Sequence, residues 1–470
     1  MTDNDGGKEF DRRRMLKFTT GAVGLGLSGC ASNQENQKTS PSDEPKQGGT
    51  LTVGMEAQLT GLDPHFTSSV VSWNAIYNIC ETLITFEDGA EPVGRIADNW
   101  TISSDGLRYT FQLKEGIQFH PPVNRELLAE DVVYSFERMA QPKAMGSDLS
   151  AMKSVEATGS HEVTFTLKEK FAPFLNFLGR VPWVIVPREA VENQGGSLGS
   201  FQRPVGTGPF KFDKHQQGQF LRLKAFENYR EEEVPYLDAI RLEPIVEGSS
   251  RVSALQAGDV DMARAIPGQD ADTIKRGANT TLIKERATSW GQLHINCSRD
   301  PWNDPTVRRA VAHVMPRESI VQAGLFGHGE VAYQPYPSGN QWHYDLAGNQ
   351  RERDVQKAKS LLEEAGNPLE GKTLTIKTNT SYQLMQTTAE LLVSKLNEAG
   401  IDARTQTLEW GTQLSDFING NFDAMAFEVP YKVDPDRHYY GFIHPSTSQW
   451  NKYGAEQPDA DRMYELLEQG

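Results

Sequence analysis

Residues 354–408, DVQKAKSLLEEAGNPLEGKTLTIKTNTSYQLMQTTAELLVSKLNEAGIDARTQTL, decide the fold class. Val355, Ala358, Leu361, Leu362 and Ala365 recur at helical spacing and stop at Gly366, a residue suited to the left-handed conformation that closes a helix. Residues 374–378 then read as a strand, 386–399 as a helix ended by Gly400, and 401–408 as a second strand. A strand, a helix and a strand in direct succession form a βαβ unit, which implies a parallel sheet and an α/β domain.

Upstream of this unit, Asp304-Pro305 reads as a helix cap with proline at the first helical position, opening a helix through Val307, Ala310, Val311 and Val314 that Pro316 ends. Further back, residues 50–54, 109–113 and 162–167 read as strands, the last with Val163, Phe165 and Leu167 on one face. Val132, Val133, Phe136 and Met139 give residues 130–140 the pattern of an amphipathic helix, and 172–187 is apolar but interrupted by Arg180. The middle of the chain is richer in sheet than its C-terminal part, so two architecturally different lobes are expected. At 470 residues the chain is long enough for about three domains. With 47 basic and 63 acidic side chains its formal charge is −16, which disfavours nucleic acid and anionic surfaces as partners. Three cysteines, Cys30, Cys80 and Cys297, allow at most one bridge.

The N-terminus reads as an address. Asp11-Arg12-Arg13-Arg14-Met15-Leu16-Lys17 precedes a glycine-rich apolar stretch from Phe18 that runs into Leu27-Ser28-Gly29-Cys30. This stretch is too short for the roughly 20 residues of a spanning helix. The twin arginine resembles a Tat export signal and Leu-Ser-Gly-Cys resembles a lipobox. Residues 1–29 are therefore expected to be a lipoprotein signal, Cys30 the lipidated residue and 30–47 a polar, flexible tether. Gly24-Leu25-Gly26-Leu27-Ser28-Gly29 matches a dinucleotide fingerprint by its letters, but neither a strand before it nor an amphipathic helix after it supports that use.

Leu62-Asp63-Pro64, residues 77–83, Phe119-His120, Ala129-Glu130-Asp131-Val132, Val205-Gly206-Thr207-Gly208-Pro209-Phe210, residues 254–261 and Val307-Arg308-Arg309-Ala310-Val311 occur in the order found in one family. The chain resembles the extracellular solute-binding proteins of family 5, the receptors of ABC importers for peptides, nickel chelates and some oligosaccharides. The resemblance implies a two-lobed periplasmic-binding-protein type II clamp of α/β class with an extra inserted subdomain. Lobe I is then 48–82 with 205–285, the insert 83–204 and lobe II 286–470. It further implies a monomeric lipid-anchored receptor on the periplasmic side of the cytoplasmic membrane, delivering a peptide or similar small solute to permease subunits, with no cofactor and no resident metal. An oligosaccharide receptor or a surface interaction lipoprotein of the same fold are the alternatives. The family's chain returns to the first lobe near its end, so this chain reads as C-terminally truncated. Cys80 and Cys297 fall in different lobes and are expected as free thiols.

Peptide-binding members anchor the peptide ammonium on a carboxylate near an Asp-Pro motif, and some add an arginine for the peptide carboxylate. Counting back three from Asp434 gives Tyr431, counting without a gap from Trp410 gives Lys432, and the arginine position falls near Ala426. The chain departs from the pattern at both anchors. Trp410 matches a pocket tryptophan. Tyr431 and Asp434 are further candidate ligand contacts, as are Trp290 and Asn296 near the crossing between lobes. An enzyme is not expected: neither a nucleophile elbow nor a His-Glu-x-x-His helix is read in the chain, and His438 and His444 lack helical metal spacing.

Overall fold

The computed structural model describes residues 45–469 apart from 68, 87–90, 142–143, 145–150, 180–181, 286–288, 337–341, 345–351, 380–381 and 430–459. The expected leader, Cys30, Tyr431 and Asp434 lie outside the described residues. The chain divides into two compact units, the first ending at Ile266 and the second beginning at Pro267, with residues 172–176 grouped with the second. Helix Ala271–Arg276, expected in lobe I, thus belongs to the second unit. No helix among the described residues is long and apolar enough to cross a membrane.

The first unit contains two main sheets. One has the order β11-β1-β10-β9-β8, where β1 (Thr50–Met55) runs parallel to β10 (Ala239–Pro244) and β11 (Met262–Ala263) and β8 (Phe210–Gln216) and β9 (Phe220–Ala225) complete it antiparallel. Helix Val70–Ile79 covers its apolar face, placing Val71, Ala75, Ile76 and Ile79 in one core with Val53, Met55, Leu221, Leu223 and Leu242. The other sheet is antiparallel, with the order β4-β5-β7-β6: β4 (Ala97–Ile102), β5 (Arg108–Leu113), β7 (Glu162–Leu167) and β6 (Met152–Gly159). Val163, Phe165 and Leu167 face inward as their alternation predicts. Against them lies helix Ala129–Met139, whose Phe136 meets the Phe165 ring at 4.8 Å. A short ribbon, β2 (Ile84–Phe86) with β3 (Pro92–Gly94), completes the unit.

Several polar side chains buried in this unit are paired, and some of them sit in the motifs that carry the family resemblance. Asp63 and Arg138 are each 1% exposed and form a two-pronged ion pair at 2.8 and 2.6 Å, tying the inserted helix to the segment after β1. Burial pushes the Asp63 carboxyl up, but the Arg138 guanidinium more than offsets it and holds it below the usual range. Removing one partner would leave an uncompensated buried charge, a loss of about 3–5 kcal/mol. Glu81 likewise accepts from Arg230 at 2.6 and 2.9 Å and from Thr207, and pairs with Arg95 at 2.8 Å. Gly206 and Gly208 pass so close to the 78–80 backbone that a Cβ on either would come within 2.2 and 2.6 Å of a carbonyl oxygen. Only glycine fits there.

Elbow letters occur at Gly195-Gly196-Ser197-Leu198-Gly199, which corrects the reading that none is present. The elbow's strand-turn-helix is missing: the segment is a turn after helix Arg188–Glu192. Its Gly199 N–H donates to Asp63 and its Ser197 carbonyl accepts from Arg138, which is structural use.

The second unit is built on a four-stranded sheet of order β12-β15-β13-β14. β13 (Leu374–Asn379) is parallel to β14 (Ala403–Leu408) and to β15 (Ala424–Val429), and β12 (Trp290–Ile295) is the antiparallel edge. The predicted βαβ unit is β13, helix Gln383–Glu398 and β14, with Gly400 at φ +89° after the helix. Asp304 caps helix Pro305–Val314 by accepting the Thr306 N–H, as the sequence predicts. That helix, Val355–Glu364 and Gln383–Glu398 share a core with one sheet face, through Val307, Leu361, Leu392, Ile376, Ala424 and Ala426. On the other face, Phe417 of helix Trp410–Asn419 packs with Phe422, Met425, Phe427 and Val429. Cys80 and Cys297 are both buried, and neither is in a disulfide among the described residues.

Two histidines make the first unit acid-sensitive. His65 is fully buried with Nε2 at 3.0 Å from the Val184 carbonyl, and burial lowers its pKa to about 4. His120 donates from Nε2 to the Gly208 carbonyl at 2.8 Å and accepts the Gly206 N–H at Nδ1, and burial again lowers it to about 4. The unfolded chain takes up each proton near pH 6.5 and the native one near pH 4. Stability is therefore complete above about pH 6.5 and falls as the pH drops toward 4, by about 3 kcal/mol for each histidine. Urea midpoints measured across this range should decline steadily; a flat profile would show that the imidazoles are not held neutral.

Candidate functional site

A sheet covered by helices on both faces meets solutes at the carboxyl ends of its parallel strands. In the second unit those ends are Asn379, Leu408 and Val429, and three aromatic residues gather there. Trp410 opens the helix that follows β14, where Glu409 caps the first turn by accepting the Thr412 N–H. Its ring is half-buried, 5.3 Å from Tyr382 and 5.8 Å from Phe427. Tyr382, the residue before helix Gln383–Glu398, is 41% exposed, so the cluster has an open side. Trp290 stands at the same end because β12 runs opposite to β15, which pairs Trp290 with Val429. It is half-buried and donates from Nε1 to Gln292 at 3.0 Å, and Gln292 reaches His294 at 3.2 Å.

Trp410 is held by a buried amide chain. Asn379 at the end of β13 donates to the Gln413 side-chain oxygen, and Gln413 in turn donates to the Ala426 carbonyl at 3.0 Å. Asn379 Oδ1 also accepts the Tyr382 N–H at 3.1 Å. Asn379 and Gln413 are fully buried, so one set of bonds fixes the first turn of the Trp410 helix and the start of the Tyr382 helix against the strand ends.

Of the five residues singled out from the sequence, the three that are described do not form one cluster. Trp410 and Trp290 share the carboxyl end of the sheet. Asn296 lies past the far end of β12, about 20 Å along the strand at ~3.3 Å per residue, and is 1% exposed. Its amide donates to the Gly420 carbonyl at 3.0 Å and accepts from the Ser298 hydroxyl at 2.6 Å, which commits it to holding the turn before β15. Ala426, where an arginine anchor would align, is fully buried in the helix-covered core. The sequence reading passed over Tyr382, Asn379, Gln413 and Glu428. The first of these precedes a helical run and could have been found as an aromatic residue at a strand-to-helix turn; the others depend on register. No group of three or more His, Cys, Asp or Glu side chains among the described residues is placed to hold a metal ion.

The model for the middle region of bacterial extracellular solute-binding proteins, family 5, matches residues 91–450. The oligopeptide-binding protein AppA of Bacillus subtilis is 30% identical over 453 residues, covering 89% of this chain and 80% of AppA. Di/tripeptide-binding protein 2 of Pseudomonas aeruginosa is 29% identical over 424 residues, covering 82% of this chain and 77% of that protein. The solved structure of AppA in complex with a nonapeptide superposes with a TM-score of 0.74 at 27% identity, covering 91% of this chain and 87% of that one. These likenesses establish the two-lobed periplasmic-binding-protein fold that the resemblance implied.

The amide chain gives a direct test of how Trp410 is positioned. Gln413→Leu keeps the size but removes the acceptor of the Asn379 amide and the donor to the Ala426 carbonyl, and should cost about 1–3 kcal/mol. A lowered urea midpoint checks this; an unchanged one would mean that the buried amides do not hold the helix.

Proposed function

Because the chain belongs to the bacterial extracellular solute-binding proteins of family 5, we propose that the solute captured by this receptor is a peptide, passed on to the permease subunits of an ABC importer. Its likeness to AppA, an oligopeptide-binding protein solved with a nonapeptide, carries the reading. The aromatic end of the second unit supports it: Trp410, Tyr382 and Trp290 offer flat apolar area with polar edges, suited to covering peptide side chains. Tyr431 and Asp434 follow β15 in sequence and are proposed as further ligand contacts. Residues 1–29 direct export, and Cys30 carries the lipid that holds the receptor on the outer face of the cytoplasmic membrane, with 30–47 as the tether. The receptor works as a monomer and catalyses no reaction.

Two experiments test the reading. Thermal unfolding of the mature chain is measured with tetraalanine and with maltotetraose. A peptide at 100 times its dissociation constant should add ~2.7 kcal/mol of stability. Trp410→Ala should weaken the peptide several-fold while the protein stays folded. A shift with the sugar alone would replace peptide by oligosaccharide. For the anchor, Cys30→Ser should move the receptor from the membrane to the soluble fraction, and continued sedimentation with membranes would refute lipidation at that residue.

A further inference from the structure

Glu428 is the second-last residue of β15 and stands at the carboxyl end of the sheet. Strand alternation turns it away from Phe427 and Val429, which join the aromatic cluster, and onto the face where Ala424 and Ala426 are buried. Unlike those alanines, it is only half-buried. Its cross-strand neighbour on the edge strand is Gly291, which is exposed and carries no side chain to cover it. Leu384 lies over Gly291, near enough that a Cβ there would meet it at 3.2 Å. Leu384 thus covers this side of the strand pair, and the exposed glycine leaves the carboxylate open toward the sheet edge.

Several other carboxylates of this unit are partnered. Asp416 meets Lys377 at 2.7 Å, Asp423 meets Arg299 at 3.4 Å, and Glu409 caps its helix. Glu428 has no such partner among the described residues: burial alone acts on its carboxyl and pushes its pKa up. On the same face of the adjacent strand, the Thr378 hydroxyl is also buried with no hydrogen-bond partner among the described residues. A desolvated carboxylate without a counter-charge destabilises the free protein. Such a group at the solute end of a sheet marks a place where the ligand supplies the missing charge.

We propose that Glu428 is the charge-selecting contact of this receptor, taking a cationic group of the bound solute at the edge of β12 beside Gly291. The assignment rests on the peptide reading above and deepens it: the favoured peptides present either a free terminal ammonium or a lysine side chain to this carboxylate.

Isothermal titration of the mature wild type and Glu428→Gln with two probe pairs tests it. One pair is tetraalanine and N-acetyl-tetraalanine; the other is N-acetyl-Ala-Lys-Ala amide and N-acetyl-Ala-Gln-Ala amide. The variant should lose about 10- to 100-fold in affinity for the ammonium-bearing member of one pair and leave its counterpart without the ammonium within twofold. The pair that responds tells the chain terminus from the lysine side chain. The ligand-free variant should melt no lower than wild type, because it removes a half-buried charge without a partner among the described residues. Equal losses for the probes with and without an ammonium, or no loss for either ammonium-bearing probe, would overturn the assignment while leaving peptide binding intact. A wild type that binds none of the four probes would overturn the peptide reading and this assignment with it.

Discussion

Among the described residues, helices covering both faces of the second unit's sheet direct a solute to the ends of its strands and to the open edge of β12 beside them. The interior faces are filled: Ile376, Ala424 and Ala426 pack under three helices on one side, Phe417, Phe422 and Phe427 on the other. What the strand ends present is therefore what the unit can offer a ligand. Three parallel strands finish at the same edge, and the turns leaving β13 and β14 deliver Tyr382 and Trp410 there. The Asn379–Gln413 amide chain lies beneath both turns, so the aromatic surface is positioned by buried hydrogen bonds whose loss would be felt in stability as well as in binding.

The first unit solves a different problem, which is joining an inserted subdomain to a sheet without leaving buried charge unpaired. Asp63–Arg138 does this with a two-pronged contact and Glu81–Arg95 with a single one, and His120 locks the glycine loop by being neutral. These are also the places where the recognisable short motifs fall. Leu62-Asp63-Pro64 supplies one end of an ion pair, Phe119-His120 reads the backbone of Gly206 and Gly208, and the loop glycines allow a backbone approach that no Cβ would permit. Such motifs are recognisable because their residue types are dictated by close geometry.

The sequence was legible where periodicity is one-sided. The βαβ unit, the proline-started helix after Asp304 and the alternation of Val163, Phe165 and Leu167 all follow from a pattern with one apolar face. It was illegible in β15, where Ala424-Met425-Ala426-Phe427 is buried on both sides and offers no alternation to read. Glu428 went unnoticed for that reason: its meaning depends on which face it takes and on a glycine paired with it from more than a hundred residues away in sequence. Asn296 was singled out for its nearness to a chain crossing, yet an asparagine with a fully committed amide serves the turn it sits in.

Photo-crosslinking tests the central claim most directly. Tetraalanine bearing a diazirine on its second residue is bound to the mature receptor, irradiated and mapped by mass spectrometry. The account predicts adducts on the fragments that carry Tyr382 and Trp410, lost in competition with unlabelled peptide. Competable adducts confined to other fragments would contradict it, because the carboxyl end of this sheet would then not be where the solute is held.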